Sequence, residues 1–510
     1  MKVIQQETIC AIQCEKGSRM KYLLNPRFLL RGWYKAPTGL FDTERKEAVF
    51  FRKEDYILLM QCDGAHDIDE SALDEDKKRF FDWLKESETI KEAGFLDYLT
   101  EKQEYRTFPA RYKEHAHWSI TGACNLKCRH CFMSAPHAKH GTPSKEQLLS
   151  IADQLAECGI FTVGLTGGEP LIREDLWEII DALAEREIGV SILYTNGWLV
   201  DEAFLDKLEE RKMHPNFQLS FDGTGWHDFL RGIDGAEEKT IEALKLLRER
   251  KYNVSVAVCL HRKNRSTLRE TIRLLASLGV QSVKCGSMMQ LGEWASPEVR
   301  DLQLTRQEEL EMFEEYIPQY FEDDAPVSIM MSDTLMYTPG EDQWHLYDVR
   351  KITEEEEAFV PSCGVLKHNF YIGAEGMVAP CMGMCDCGFA SRFPNLFETP
   401  LKEILRDSEF HTLTAATVKD IRNHNPKCRE CLWLDRCTGG CRNSALMQGD
   451  DYYAIDEDLC YFYENGWEER MTKAAEKPFA AYLERHPEIQ ENSREKSREK
   501  SYRETEENCP

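Results

Sequence analysis

The stretch TGACNLKCRHC, residues 121–131, sets Cys124, Cys128 and Cys131 directly behind a short strand-like run, HWSIT, that begins at His117. Three thiols so close together can wrap one corner of an iron–sulfur cubane. A [4Fe–4S] cluster takes four ligands, so three cysteines leave one iron open to a substrate or cofactor. A zinc site is the competing reading. It would complete its tetrahedron with a further Cys or with a His such as His130 or His137.

Outward from this loop, residues 117–321 alternate apolar runs with helical patterns, as βα units on a parallel sheet do. The strand candidates start at His117, Ile160, Val190, Phe217, Val254 and Val280. Between the first two, Ser144 and Gln147 form a capping box ahead of an apolar stripe of Leu148, Ile151, Ala152 and Leu155. Leu176, Ile179, Ile180 and Leu183 repeat that spacing. Six such units make a doubly wound sheet or a barrel, and in both the chemistry sits at the carboxyl ends of the strands.

The CxxxCxxC motif at Cys124, Cys128 and Cys131 resembles that of the radical S-adenosylmethionine (SAM) superfamily, and the resemblance spans the whole barrel. It implies an α/β fold with a partial (β/α)6 barrel. By the same resemblance, Thr166-Gly167-Gly168-Glu169-Pro170 is the segment that holds the SAM amino group. Thr195 and Asn196 before Gly197, then Ser220 and Asp222, line the SAM pocket, and Arg231 faces the SAM carboxylate. The implied chemistry is one-electron reduction of the sulfonium by the cluster. A 5′-deoxyadenosyl radical results and abstracts a substrate hydrogen.

A second cysteine set runs Cys363-x12-Gly376-x4-Cys381, then Cys428-x2-Cys431-x5-Cys437-x3-Cys441-x18-Cys460. A four-cysteine zinc ribbon at Cys428–Cys441 would leave Cys363, Cys381 and Cys460 unexplained. The pattern resembles the SPASM extension in every gap. That resemblance implies two auxiliary clusters of the [4Fe–4S] kind. Cys428, Cys431, Cys437 and Cys460 would hold one; Cys363, Cys381 and Cys441 would hold the other, with Cys385, Cys387 or an open site as its fourth position. Sulfatase-maturing relatives place Asp where this chain has Met382, which counts against that branch.

Residues 1–112 read as a separate α+β domain, similar in pattern to the winged-helix peptide-binding module of ribosomal-peptide maturation, the RiPP recognition element. The remaining divisions are a barrel at 113–321, an acidic bridging segment at 322–362, the SPASM domain at 363–470, and a helical end with a polar tail at 471–510. Disorder is expected after about Glu488, where SREKSREK is too polar to bury a core. Cys10, Cys14, Cys62, Cys158, Cys259 and Cys285 read mostly as core thiols, and Cys509 as a bystander.

A net charge of −26 argues against nucleic acid as a partner. No uncharged stretch is long enough to cross a bilayer, and MKVIQQETIC has no apolar run of signal-peptide length. A cytoplasmic location without membrane contact is therefore expected, where nineteen cysteines favour cluster ligation over disulfides.

The resemblances imply a radical SAM peptide maturase that takes a ribosomally made precursor with a leader and installs thioether crosslinks from Cys sulfur to carbon. A one-electron reductant such as flavodoxin or ferredoxin would serve it. The alternatives are carbon–carbon crosslinking, epimerisation, sulfatase maturation, and a noncatalytic metal-binding scaffold. No acid/base residue is assigned.

Overall fold

Short strands, mostly paired antiparallel and several of them buried along much of their length, make up the first part of the chain. The computed structural model describes residues 19–287, 291–332, 334–346 and 351–491, so Cys10, Cys14, Cys509 and the SREKSREK tail lie outside the described residues. Contacts divide the chain into two compact units: one runs to Glu114 and includes Glu157–Phe161, and the other comprises His115–Ala156 and Thr162 onward.

In the first unit, β1 (Met20–Leu24) is flanked by β5 (Asp63–Ile68) and β6 (Ile90–Glu92). A second sheet runs β4 (Glu47–Phe50), β3 (Ala36–Asp42), β2 (Phe28–Trp33), β7 (Arg106–Phe108). Helices Lys53–Met60 and Glu75–Glu86 share a core with these two sheets, the second helix capped by the Asp74 side chain on the Lys77 amide. Tyr22, Leu24, Leu58, Leu59, Phe81 and Leu84 fill that core.

In the second unit the expected strands appear in order and in parallel. They are β8 (His115–Ser119), β9 (Thr162–Thr166), β10 (Gly189–Tyr194), β11 (Asn216–Ser220), β12 (Val254–Leu260) and β13 (Ser282–Ser287). The capping box forms as read, with Gln147 Oε1 accepting from the Ser144 amide at 2.9 Å and Ser144 Oγ accepting from the Gln147 amide at 3.3 Å. The apolar stripes of helices Lys145–Glu157 and Leu176–Glu185 are buried.

Two features of the sheet differ from the sequence reading. The segment taken as a bridge supplies three more strands, β14 (Ser328–Met331), β15 (Leu335–Tyr337) and β16 (His345–Leu346), with β14 parallel to β13. On the other edge the cysteine-rich region adds β17 (Asn369–Ile372), parallel to β8, and β18 (Val378–Ala379). Pairing with an existing edge, more than local propensity, makes these short segments strands. Among the described residues the sheet has eleven strands, and the cysteine-rich region is continuous with it through the β17–β8 pairing.

Candidate active site

A cavity of about 490 Å³ opens at the carboxyl ends of β8–β13. That volume lies in the usual range for a small-molecule or cofactor site. Its walls carry Cys124, Cys128 and Cys131, and most of the other residues singled out in the barrel: Gly167, Gly168, Thr195, Asn196, Ser220, Asp222 and Arg231. Glu169 and Pro170 are buried behind them.

Backbone packing explains the glycine pair. A Cβ on Gly167 would meet the Thr121 carbonyl oxygen at 2.3 Å, and one on Gly168 would meet that of Ala123 at 2.2 Å. The Gly168 and Glu169 amides donate to those carbonyls, each at 2.9 Å. The close approach that the glycines permit is thus to the cysteine loop itself. The loop is clasped further by Arg129 N to Leu230 O at 2.8 Å and Glu293 N to Cys131 O at 2.9 Å.

Glu169 is 1% exposed and its carboxylate is fully engaged. It accepts from Asn196 N at 2.7 Å, Thr195 Oγ1 at 2.9 Å and Leu171 N at 3.1 Å. Burial outweighs these donors and pushes its pKa up to about 7. Its work is to position Thr195 and Asn196. Asn196 in turn donates to Asn125 Oδ1 at 2.8 Å in the cysteine loop.

Asp222 and Arg231 are held by each other, with Nε to Oδ2 at 2.7 Å and Nη2 to Oδ1 at 3.0 Å. Burial alone would raise the Asp222 carboxyl, but the guanidinium, with the His227 ring, holds it well below the usual carboxylate range. Asp222 Oδ1 also accepts from the Cys259 amide at 3.2 Å. Arg231 Nη1 points on to Cys128 Sγ at 3.7 Å.

Each thiol of the barrel loop therefore has a donor aimed at sulfur. Leu126 N lies 3.4 Å from Cys124 Sγ, Ala135 N lies 3.3 Å from Cys131 Sγ, and the guanidinium serves Cys128. Burial pushes Cys124 up to about 12 and raises Cys128 and Cys131. A coordinating metal deprotonates such thiols outright, and hydrogen bonds to the sulfurs then tune the potential. The donor set fits a cluster. Of the two histidines weighed for zinc, burial lowers His130 to about 3, whereas His137 is exposed beside Glu293. Among the described residues, no three His, Cys, Asp or Glu side chains converge tightly enough to clasp a single ion.

In the second cysteine set, Cys437 and Cys381 feel the charges of different neighbours. Burial, then the charges of Cys460, Cys431 and Cys428, push the Cys437 thiol up to about 12. Burial, then Cys441 and Cys363, do the same to Cys381. Of the two candidates for the remaining position, Cys387 donates to the Met384 carbonyl at 3.1 Å, while Cys385 lies within the field of Cys381, Glu375 and Asp386. Asp456 ties Cys441 to the helix of Cys460. Its Oδ2 accepts from the Cys441 amide at 2.8 Å while Oδ1 caps the helix that carries Cys460, accepting from Asp458 N at 3.1 Å and Leu459 N at 3.2 Å.

Arg442, next to Cys441, escaped the sequence reading. It is 0% exposed, and its guanidinium donates only to carbonyls: Ala454 at 2.8 Å, Tyr452 at 3.1 Å, Gly440 at 3.4 Å, and Gly439. No carboxylate pairs with it among the described residues, and its charge favours the thiolate of Cys428. A buried unpaired cation costs several kcal/mol unless a countercharge is present. Thiolate-ligated clusters beside it would supply that countercharge, so the chemistry of this region fits the cofactor.

Comparison with known proteins agrees with this chemistry. Residues 118–275 match the Radical SAM superfamily, and residues 363–432 match the SPASM iron–sulfur cluster-binding domain, which leaves Cys437, Cys441 and Cys460 beyond the matched span. The Fe-coproporphyrin III synthase of Methanosarcina barkeri is 25% identical over 356 residues, 68% of this chain and 86% of its own. The antilisterial bacteriocin subtilosin biosynthesis protein AlbA of Bacillus subtilis is 24% identical over 355 residues, 69% of this chain and 71% of its own. Among solved structures, SuiB of Streptococcus suis bound to S-adenosylmethionine superposes with a TM-score of 0.59 at 16% identity, covering 86% of this chain and 99% of SuiB. The radical SAM fold binds SAM and a [4Fe–4S] cluster, and the SPASM domain binds auxiliary iron–sulfur clusters. No described helix is long and apolar enough to cross a membrane. With the thiol triad at the strand ends and a second cysteine set in the region that extends the sheet, the chain is an enzyme that carries a radical SAM domain over residues 118–275 and a SPASM domain over residues 363–432.

Proposed function

We propose that this chain is a radical SAM maturase of a ribosomally made precursor peptide, forming thioether links from a Cys sulfur to a carbon of another residue. The observation that carries the reading is the extent of the likeness to SuiB. It covers 86% of the chain, whereas residues 115–510 make up under four-fifths of it, so the likeness reaches into residues 1–114. SuiB has itself been solved bound to its precursor peptide SuiA. We read residues 1–112 here as the leader-binding domain, 113–321 as the barrel and 363–470 as the auxiliary-cluster domain.

In this proposal Cys124, Cys128 and Cys131 hold the SAM-cleaving cluster. Cys428, Cys431, Cys437 and Cys460 hold one auxiliary cluster; Cys363, Cys381 and Cys441 hold the other. When bound, the reduced cluster and SAM supply a radical that abstracts a substrate hydrogen. The protein orients that hydrogen and excludes competing donors. Glu169 fixes the Thr195 and Asn196 wall, the Asp222–Arg231 pair sets the charge beside Cys128, and Gly167 and Gly168 let the cysteine loop seat against β9. Oxidative crosslinking also needs an acceptor for a second electron, and auxiliary clusters are suited to that role. A one-electron reductant and a cytoplasmic setting complete the proposal.

The test is anaerobic co-production with a cysteine-containing precursor encoded beside the gene, followed by thiol alkylation and mass spectrometry. Loss of two hydrogens per link with the thiols protected supports thioether formation. The same loss with alkylatable thiols indicates carbon–carbon crosslinking, and an unchanged mass sinks the crosslinking reading for that peptide. Removing residues 1–112 is expected to abolish modification while leaving SAM cleavage. A second reading, a tetrapyrrole-modifying enzyme, is favoured by the match to Fe-coproporphyrin III synthase over 68% of the chain. Formation of Fe-coproporphyrin III from a tetrapyrrole precursor by the enzyme would select it.

A further inference from the structure

The interior of a closed barrel is ordinarily packed with layers of branched apolar side chains. Here the register of the central strands stacks small and polar residues instead. Gln218, Ser255, Ser282 and Ser328 are partners across β11, β12, β13 and β14 and form one row. The next row on the same face is Ser220, Ala257, Lys284 and Met330. Serines where valines would pack leave a second chamber of about 480 Å³, walled by the lower row.

Gln218 and Lys284 line both this chamber and the larger cavity that holds the cysteine loop, so they stand at the junction of the two. Lys284 is exposed although it sits in an interior strand of the sheet. Arg231, the other strong cation on these walls, is held by Asp222. Lys284 has no ion pair or hydrogen bond among the described residues, and Glu341, the carboxylate that lines the chamber, makes none with it. A cation facing an open space whose largely apolar walls carry a row of serines is a receptor for an anion of matching size.

We propose that the chamber beneath the larger cavity binds a carboxylate carried by the substrate, an Asp or Glu side chain of the peptide, with Lys284 as its cation and the serine row as its polar wall. The inference rests on reading the larger cavity as the SAM site and deepens the peptide reading by assigning an acidic residue to the substrate. Binding alone is proposed, and no bond is made or broken at Lys284.

The test uses the cluster-loaded full chain with SAM and two probes, N-acetyl-glutamate amide and N-acetyl-glutamine amide, in equilibrium dialysis, with SAM affinity measured alongside. The acid is expected to bind at least about tenfold more tightly than the amide, as one charge-assisted contact allows. Lys284→Met should erase that preference and Lys284→Arg retain it. Ser282→Val, which fills the chamber and leaves the charge, should weaken both probes. SAM affinity is measured in all three variants and should hold in Ser282→Val, whose position does not line the larger cavity. No preference in the wild type, a preference that survives Lys284→Met, or full probe binding in Ser282→Val would overturn the proposal. A loss of SAM affinity in Lys284→Met matching the loss of acid would assign the lysine to SAM and also overturn it. Failure of the wild type to bind SAM would instead defeat the site reading on which the inference rests.

Discussion

Breaking the Asp222–Arg231 pair is the sharpest test of how the wall beside Cys128 is built. Asp222 is 0% exposed and takes two bonds from Arg231, at 2.7 and 3.0 Å, and one from the Cys259 amide at 3.2 Å. Arg231→Met strands a buried carboxylate; Asp222→Asn strands a buried guanidinium and turns an amide N–H toward it. Removing one member of a buried pair costs about 3–5 kcal/mol. At about 2 °C or less per kcal/mol for a unit this large, each single variant should lower the melting temperature of the cluster-free chain by about 5–10 °C. The double variant Asp222→Asn/Arg231→Met leaves no stranded charge and should melt well above the sum of the two losses, a coupling of about 3 kcal/mol. Differential scanning fluorimetry on the four proteins measures this. Strictly additive losses, or single variants within about 2 °C of wild type, would refute the argument that the two groups are spent on each other.

Other expectations follow from the same geometry. Glu169 has a folded pKa raised from the usual 4.5 to about 7. A raised folded pKa means that its contribution to stability is fully present below about pH 4.5 and is lost as pH climbs toward 7. Wild type should therefore lose stability relative to Glu169→Gln across that window, and a flat difference in melting temperature from pH 4.5 to 7 would contradict it. Arg442 places a buried cation beside Cys428, so Arg442→Met should make the auxiliary clusters harder to reduce. A tenfold change in the reduction equilibrium is about 59 mV for one electron. Potentiometric EPR should find a downward shift of that order, and an unchanged or raised midpoint would contradict it.

The barrel strands were legible because their apolar runs are long and evenly spaced by helices, and β12 was read to the residue, Val254–Leu260. The cysteine loops were legible because ligand spacing is a local property. Strands β14–β16 were not, since they are two to four residues long and owe their form to a neighbouring edge. The three protein donors to Glu169 were not legible, since two of them are backbone amides that only the folded loops bring near. Arg442 had a signal, its place directly after Cys441, but its meaning depends on the absence of a carboxylate within reach, which is three-dimensional. Lys284 had none, because the emptiness beside it comes from serines brought together across β12, β13 and β14.

If the strand-end thiols bind a SAM-cleaving cluster and the cysteine-rich region binds two more, the iron content of the chain follows. The most direct measurement is iron content with 5′-deoxyadenosine release after anaerobic reconstitution and reduction, for wild type and for the triple variant Cys124→Ala/Cys128→Ala/Cys131→Ala. The account predicts about twelve irons per wild-type chain and about eight in the variant, with 5′-deoxyadenosine from the wild type alone. Equal iron in the two proteins, or SAM cleavage that survives loss of the three thiols, would contradict it.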